Sequence, residues 1–142
     1  MPTEARVLRI GIAPREEIQA RTMAIVRGEY RPGRDDPKVW FTSLESLAQV
    51  LSTRNQALLE MIARDKPASM RELADLSGRQ TSNLSRTLST LERYGLIRIE
   101  HAGGRRVPEA LYDKIEVDLD IRGKPATPHS RPAAARRLEP AG

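Results

Sequence analysis

Apolar positions recur most regularly between Ser69 and Tyr94 (SMRELADLSGRQTSNLSRTLSTLERY). Met70, Leu73 and Ala74 fall on one helical face, and Leu84, Leu88 and Leu91 repeat at the same period. That pattern predicts two amphipathic helices. Ser69 with Glu72 forms a capping box for the first helix. Ser77-Gly78 stops it, because glycine tolerates a left-handed turn. In the second helix Ser82, Asn83, Ser85, Arg86, Ser89 and Arg93 lie mostly away from the leucines.

Upstream, Val7 to Ile12 is a β-rich run and predicts a strand. Pro14 suits a helix start, Glu16 and Glu17 suit its first turn, and Ile18, Thr22, Ile25 and Val26 give it a stripe that Gly28 ends. Glu29 to Lys38 reads as a linker, punctuated by Pro32-Gly33 and Asp36-Pro37. Val39 to Phe41 is a brief extended piece. Thr42 with Glu45 starts another helix, with Leu44, Leu47, Ala48 and Leu51 inward. Thr53 with Gln56 starts the next, with Leu58, Leu59 and Ile62 inward, and it ends before Pro67.

Downstream, Leu96 to Glu100 predicts a strand and Gly103-Gly104 a turn. Ile115, Val117, Leu119 and Ile121 alternate with Glu116, Asp118 and Asp120, the pattern of a half-buried strand. Residues 122–142 are rich in Pro, Ala and Arg and predict a disordered basic tail. Ala74, Gly78 and Leu84 have helix-turn-helix spacing: a small residue where helices cross, a glycine at the turn, and a leucine that packs one helix on the other. The expected fold class is α+β, mainly α. A strand-helix unit and linker span residues 1–37, a winged helix-turn-helix spans 38–121, and the tail spans 122–142.

Composition narrows the function. With 142 residues, 39% hydrophobic and 4% aromatic, the chain can build a modest core but no large aromatic-lined pocket. There is no Cys, which excludes disulfides, thiolate metal sites and Cys nucleophiles. No apolar run reaches membrane-spanning length, and MPTEARVLRIG lacks a secretory apolar region, so a cytoplasmic protein is expected. His101 and His129 stand far apart with no helical partner, so no metal is expected. Asp113, Glu116, Asp118 and Asp120 fit the solvent face of a strand better than a metal site. No catalytic constellation emerges, and no enzyme activity or cofactor is expected.

The net charge of +5 is unevenly spread. Residues 1–121 carry nineteen basic and eighteen acidic side chains, and the tail after Ile121 adds five basic against Glu139. Between Arg79 and Arg106 six arginines face only Glu92 and Glu100. The positive stretch thus coincides with the second helix and the Gly-Gly turn, as a nucleic-acid footprint does.

The run GRQTSNLSRTLSTLERYGLI, from Gly78 to Ile97, resembles the recognition helix of MarR-type winged-helix repressors, notably in Leu91-Glu92 followed by Gly95-Leu96-Ile97. Phe41 and Ser43, Leu51-Ser52 and Arg54, Leu58-Leu59, Pro67 and Ser69, and Gly78-Arg79 resemble a family of prokaryotic regulators first noted in haloarchaea, over about residues 7–121. This resemblance implies a transcriptional regulator. Some members are similar to TumA-like antitoxins that sit beside a small toxin. Gln80 departs from the Asp or Ser that the pattern wants as helix cap, so Thr81 is expected to cap instead.

Ser82, Asn83, Ser85 and Arg86 are candidates for base or phosphate contact: Asn can read adenine, Arg guanine, and Ser either base or phosphate. Ser69, Arg79, Gln80, Thr81 and Ser89 complete the expected DNA-binding set around that helix. Arg105 and Arg106 at the Gly-Gly turn suit a wing on the minor groove or backbone. The bland alternatives are a solvated helix face and a soluble hairpin end. The expected function is a sequence-specific DNA-binding regulator, an autorepressor acting as a homodimer on double-stranded DNA. The rival is an antitoxin that neutralises a co-encoded toxin and represses its own operon.

Overall fold

The computed structural model describes residues 4–122. From residue 123 onward the expected tail, with His129, lies outside the described residues. The elements are β1 (Val7–Ile12), α1 (Arg15–Val26), β2 (Val39–Phe41), α2 (Leu44–Val50), α3 (Thr53–Asp65), α4 (Met70–Ser77), α5 (Thr81–Arg93), β3 (Ile97–Ala102), β4 (Arg105–Ala110) and β5 (Lys114–Leu119), an α+β order. β3 pairs with β4, and a second sheet runs β2-β1-β5. Among the described residues no helix is long and apolar enough to cross a membrane.

The described residues form two compact units, one of residues 4–8 and 45–116, the other of 9–44 and 117–122. Both are discontinuous in sequence, with crossings inside β1 and β5. Boundaries read along the chain, at 37/38 and 121/122, follow linker composition and cannot register a strand shared in this way.

The larger unit is organised by α3, α4 and α5. Ser52 caps α3, its Oγ accepting the Asn55 N–H at 3.2 Å, one residue before the expected Thr53. Leu58 and Ile62 are buried along that helix. It stops at Lys66, which takes the left-handed conformation (φ 48°) because Pro67 disfavours another helical residue before it. Ser69 caps α4 through the Glu72 N–H (3.1 Å), while the Glu72 carboxylate accepts the Ala68 N–H (2.8 Å). Gly78 (φ 73°) closes α4 by donating its N–H to the Ala74 carbonyl at 2.9 Å. At α5 the expected Thr81 cap is replaced: Gln80 holds the cap position without a side-chain hydrogen bond, and Thr81 is already helical. Gln has one methylene more than the usual capping residues, too many for the short reach to the next N–H groups. Leu73, Leu84, Leu88 and Leu91 are each 0% exposed and lock α4 to α5.

In the smaller unit β1 and β2 run parallel, joined through α1, with Ile10 opposite Val39 and Ile12 opposite Phe41. The Trp40 ring sits against Gly11, where a Cβ would collide with it. The α1 stripe differs from expectation: Ala24 is buried, Ile18 and Ile25 are half-buried, Thr22 is exposed and Val26 is 72% exposed. Arg21 takes an inward place instead. It lies 5.4 Å from the Tyr30 ring centroid and 5.1 Å from that of Trp40, and it pairs with the buried Asp36 at 3.4 Å. Asp36 also accepts from the Tyr30 hydroxyl and the Gly33 N–H, so the expected linker is pinned by a buried carboxylate. The alternating run forms β5 as far as Leu119, with Ile115 half-buried, but Val117 and Leu119 are each 46% exposed and Ile121, beyond the strand, is 88% exposed, so most of its apolar positions are not covered as a half-buried strand requires.

Candidate nucleic-acid interface

Burial of Leu84, Leu88 and Leu91 dictates what α5 shows to solvent. Ser82, Arg86, Ser89 and Arg93 recur at i, i+4, i+7 and i+11 on the opposite side, with Asn83 beside them, and all five are exposed. Gln80 and Thr81 are exposed at its start. The carboxylate of α5, Glu92, is turned away, where it accepts the Ile99 N–H at 3.1 Å. The helix therefore offers hydroxyls, one amide and two arginines on a face free of acid.

The β3–β4 hairpin supplies an adjoining arm. Gly103 (φ 59°) and Gly104 (φ 77°) form a two-residue turn between the paired Ala102 and Arg105, a conformation that needs positive φ at both positions. Arg105 is exposed. Arg106 is half-buried, and its Nη1 lies 3.5 Å from the Ser85 Oγ, which brings hairpin and helix together at two of the expected residues.

Two other expected residues have structural duties. The Ser69 hydroxyl is committed to the α4 cap. Arg79 is half-buried: its guanidinium donates to the Arg54 carbonyl (3.1 Å), Asn55 Oδ1 (3.2 Å) and Thr87 Oγ1 (3.4 Å), tying the α4–α5 turn to α3 and α5.

Charge pairing divides the larger unit. Arg6 bridges Asp113, Arg64 bridges Glu60 and Asp65, Arg98 bridges Glu100 and Glu109, and Lys114 bridges Glu116. The Asp113 carboxyl is held below its usual pKa, first by the side-chain hydrogen bond from Arg6. Among the described residues Arg71, Arg79, Arg86, Arg93, Arg105 and Arg106 have no such carboxylate, and neither does Arg54. Sequence reasoning left Arg54, Arg71 and Arg93 outside the candidate set. Arg93 could have been found, since it stands seven residues after Arg86 on the same face. Arg54 is among the residues that carry the family resemblance, but no pattern points to its place beside the α4–α5 turn, which depends on how α3 meets that turn.

An open groove of about 550 Å³ in the same unit is lined by residues such as Ile62, Lys66, Val107 and Pro108 and contains none of the candidates. Its rim carboxylates Glu100, Glu109 and Asp113 are already paired with arginines. Among the described residues no group of three or more His, Asp or Glu side chains could hold a metal ion.

The family model HVO_A0114 matches residues 50–117, just under half of the chain and nearly all of the larger unit from the end of α2 into β5. No curated protein matches the chain, and no solved structure does.

Proposed function

We propose that the chain is a sequence-specific, double-stranded-DNA-binding transcriptional regulator whose larger unit works as a winged helix-turn-helix. Helix α5 is the recognition helix, entering the major groove, and the β3–β4 hairpin is the wing. The observation that carries this reading is the division of charge. Arg6, Arg64, Arg98 and Lys114 are paired with carboxylates. Arg86 and Arg93 on α5 and Arg105 and Arg106 at the hairpin tip, like Arg54, Lys66, Arg71 and Arg79 on neighbouring segments of the unit, have none among the described residues and can meet an outside anion. Asn83 and Arg86 are the base readers, Ser82, Ser85 and Ser89 the short contacts, and Arg105 and Arg106 the backbone contacts.

Replacing Arg105 and Arg106 together with Ala is expected to weaken binding to every duplex. The slope of log affinity against log salt should fall by about 1 for each phosphate that the hairpin no longer neutralises. Titrations over a salt series measure it. A slope equal to that of the unsubstituted protein would remove the hairpin from the interface.

A homodimer suits this reading, because one recognition helix covers too few base pairs to select one genomic site. The smaller unit is the place for the contact: Met23, Val26, Leu44, Val117, Leu119 and Ile121 expose 45–88% of their surface. Removing residues 1–37 would test it poorly, since that deletes β1, the central strand of the β2-β1-β5 sheet. Val26→Glu with Leu119→Glu is the cleaner variant. Light scattering should give a dimer for the unsubstituted chain and a monomer for the variant; a monomer for both would refute the assignment. The same apolar residues favour the second reading, an autorepressing antitoxin that holds a toxin there. Co-purification of the product of an adjacent small reading frame would favour it.

A further inference from the structure

The junction of α3 and α5 gathers two cations and, among the described residues, no paired anion. Arg79 follows the Gly78 turn, and its guanidinium reaches three acceptors, the Arg54 carbonyl, Asn55 Oδ1 and Thr87 Oγ1, all of them neutral. The exposed Arg54 side chain adds a second positive charge in the first turn of α3. Burial first, and the Arg54 charge second, push the Arg79 pKa below the usual arginine value. Among the described residues neither side chain has a carboxylate in reach.

The smaller unit treats an inward arginine differently. Arg21, with 17% of its side chain exposed, is matched by Asp36 at 3.4 Å. A half-buried cation without a counter-ion is unfavourable in the protein alone. Placing a second cation beside it raises that cost. An anion arriving from outside would relieve both.

We propose that Arg54 and Arg79 form a phosphate-binding pair that grips one DNA strand beside α5. The proposal rests on the DNA-binding reading above and extends its footprint to α3. Arg79 touches α5 at Thr87, the residue after Arg86, so the pair stands on the flank of the recognition helix. A helix seated in a groove has sugar-phosphate backbone on its flanks, and contacts there position the protein rather than read bases. Arginine has five N–H donors, of which three are engaged in Arg79, leaving two free. The Arg54 side chain makes none of these bonds, and its planar fork matches a phosphate.

The test measures the affinity of the full chain for a short duplex over a salt series, for the unsubstituted protein, Arg54→Gln, Arg54→Lys and Arg64→Gln. The Arg79 bond to residue 54 is to a backbone carbonyl, so Arg54→Gln leaves it in place. That variant should bind several-fold more weakly and lower the salt slope by about 1, as expected when one phosphate is no longer neutralised. Its melting temperature should be unchanged or higher, because a repulsion is removed. Arg54→Lys should keep the slope. Arg64→Gln, on the same helix but engaged by Glu60 and Asp65, should bind as the unsubstituted protein does. A normal slope in Arg54→Gln, or an equal weakening in Arg64→Gln, would overturn the pair while leaving the DNA-binding reading intact. No binding by the unsubstituted protein at low salt would overturn that reading, and the pair with it.

Discussion

Leu88→Ala is expected to destabilise the protein by about 2–5 kcal/mol, the range for emptying a fully buried leucine site. Leu88 is 0% exposed, and so are Leu84 and Leu91 along α5 and Leu73 on α4. The vacated space would lie inside a fully buried, close-packed core, with little room to collapse. The melting temperature should fall by about 10 °C or more, since each kcal/mol moves a domain of this size by several degrees. Ser89→Ala, one residue on and exposed, should stay within about 0.5 kcal/mol of the parent. Thermal melts of the two variants side by side decide the matter. Equal melting temperatures would mean that α5 is not seated through its leucines, and its opposite face would lose its claim to be the presented one.

Arg86→Ala and Asn83→Ala should behave in the opposite way, with large losses of specific DNA affinity and little change in stability. Both side chains are exposed, and neither makes a hydrogen bond or ion pair to another described residue. Each should cost about 1–3 kcal/mol of binding to the preferred sequence if it makes a base contact. Affinity for unrelated duplexes should fall less for Asn83→Ala than for Arg86→Ala, because only the latter also removes a charge. The measurement is a competition titration with specific and non-specific duplexes. Unchanged preference in both variants would mean that the reading residues lie elsewhere.

Local chemistry made much of the larger unit legible in the sequence. The Ser69 cap, the Gly78 stop, the leucine repeat and the Gly-Gly turn each act over a few residues, and each is found where its pattern placed it. The misplaced caps are also local. At α3 two capping residues stand side by side, Ser52 and Thr53, and the pattern alone could not rank them. What stayed hidden depends on distant pairings. The parallel β1–β2 pairing joins residues about thirty apart, and β5 comes to the same sheet from the far end of the chain. Asp36 sits in a Pro- and Gly-punctuated stretch that reads as solvated, and Arg21 on α1, the Tyr30 hydroxyl and the Gly33 N–H help make its burial tolerable. Arg79 likewise read as a free cation because its acceptors lie on other helices. The exposed face of α5, by contrast, follows from helical period alone once the leucines are known to be inside.

The central claim is that α5 reads DNA sequence, and its most direct test is to mix the full-length chain with fragmented genomic DNA of its own cell and sequence what is retained. A few loci sharing one motif, arranged as inverted half-sites about one helical turn apart, is the outcome that the α5 geometry and a two-fold dimer require. Fragments recovered in proportion to their abundance, or none retained even at low salt, would contradict it.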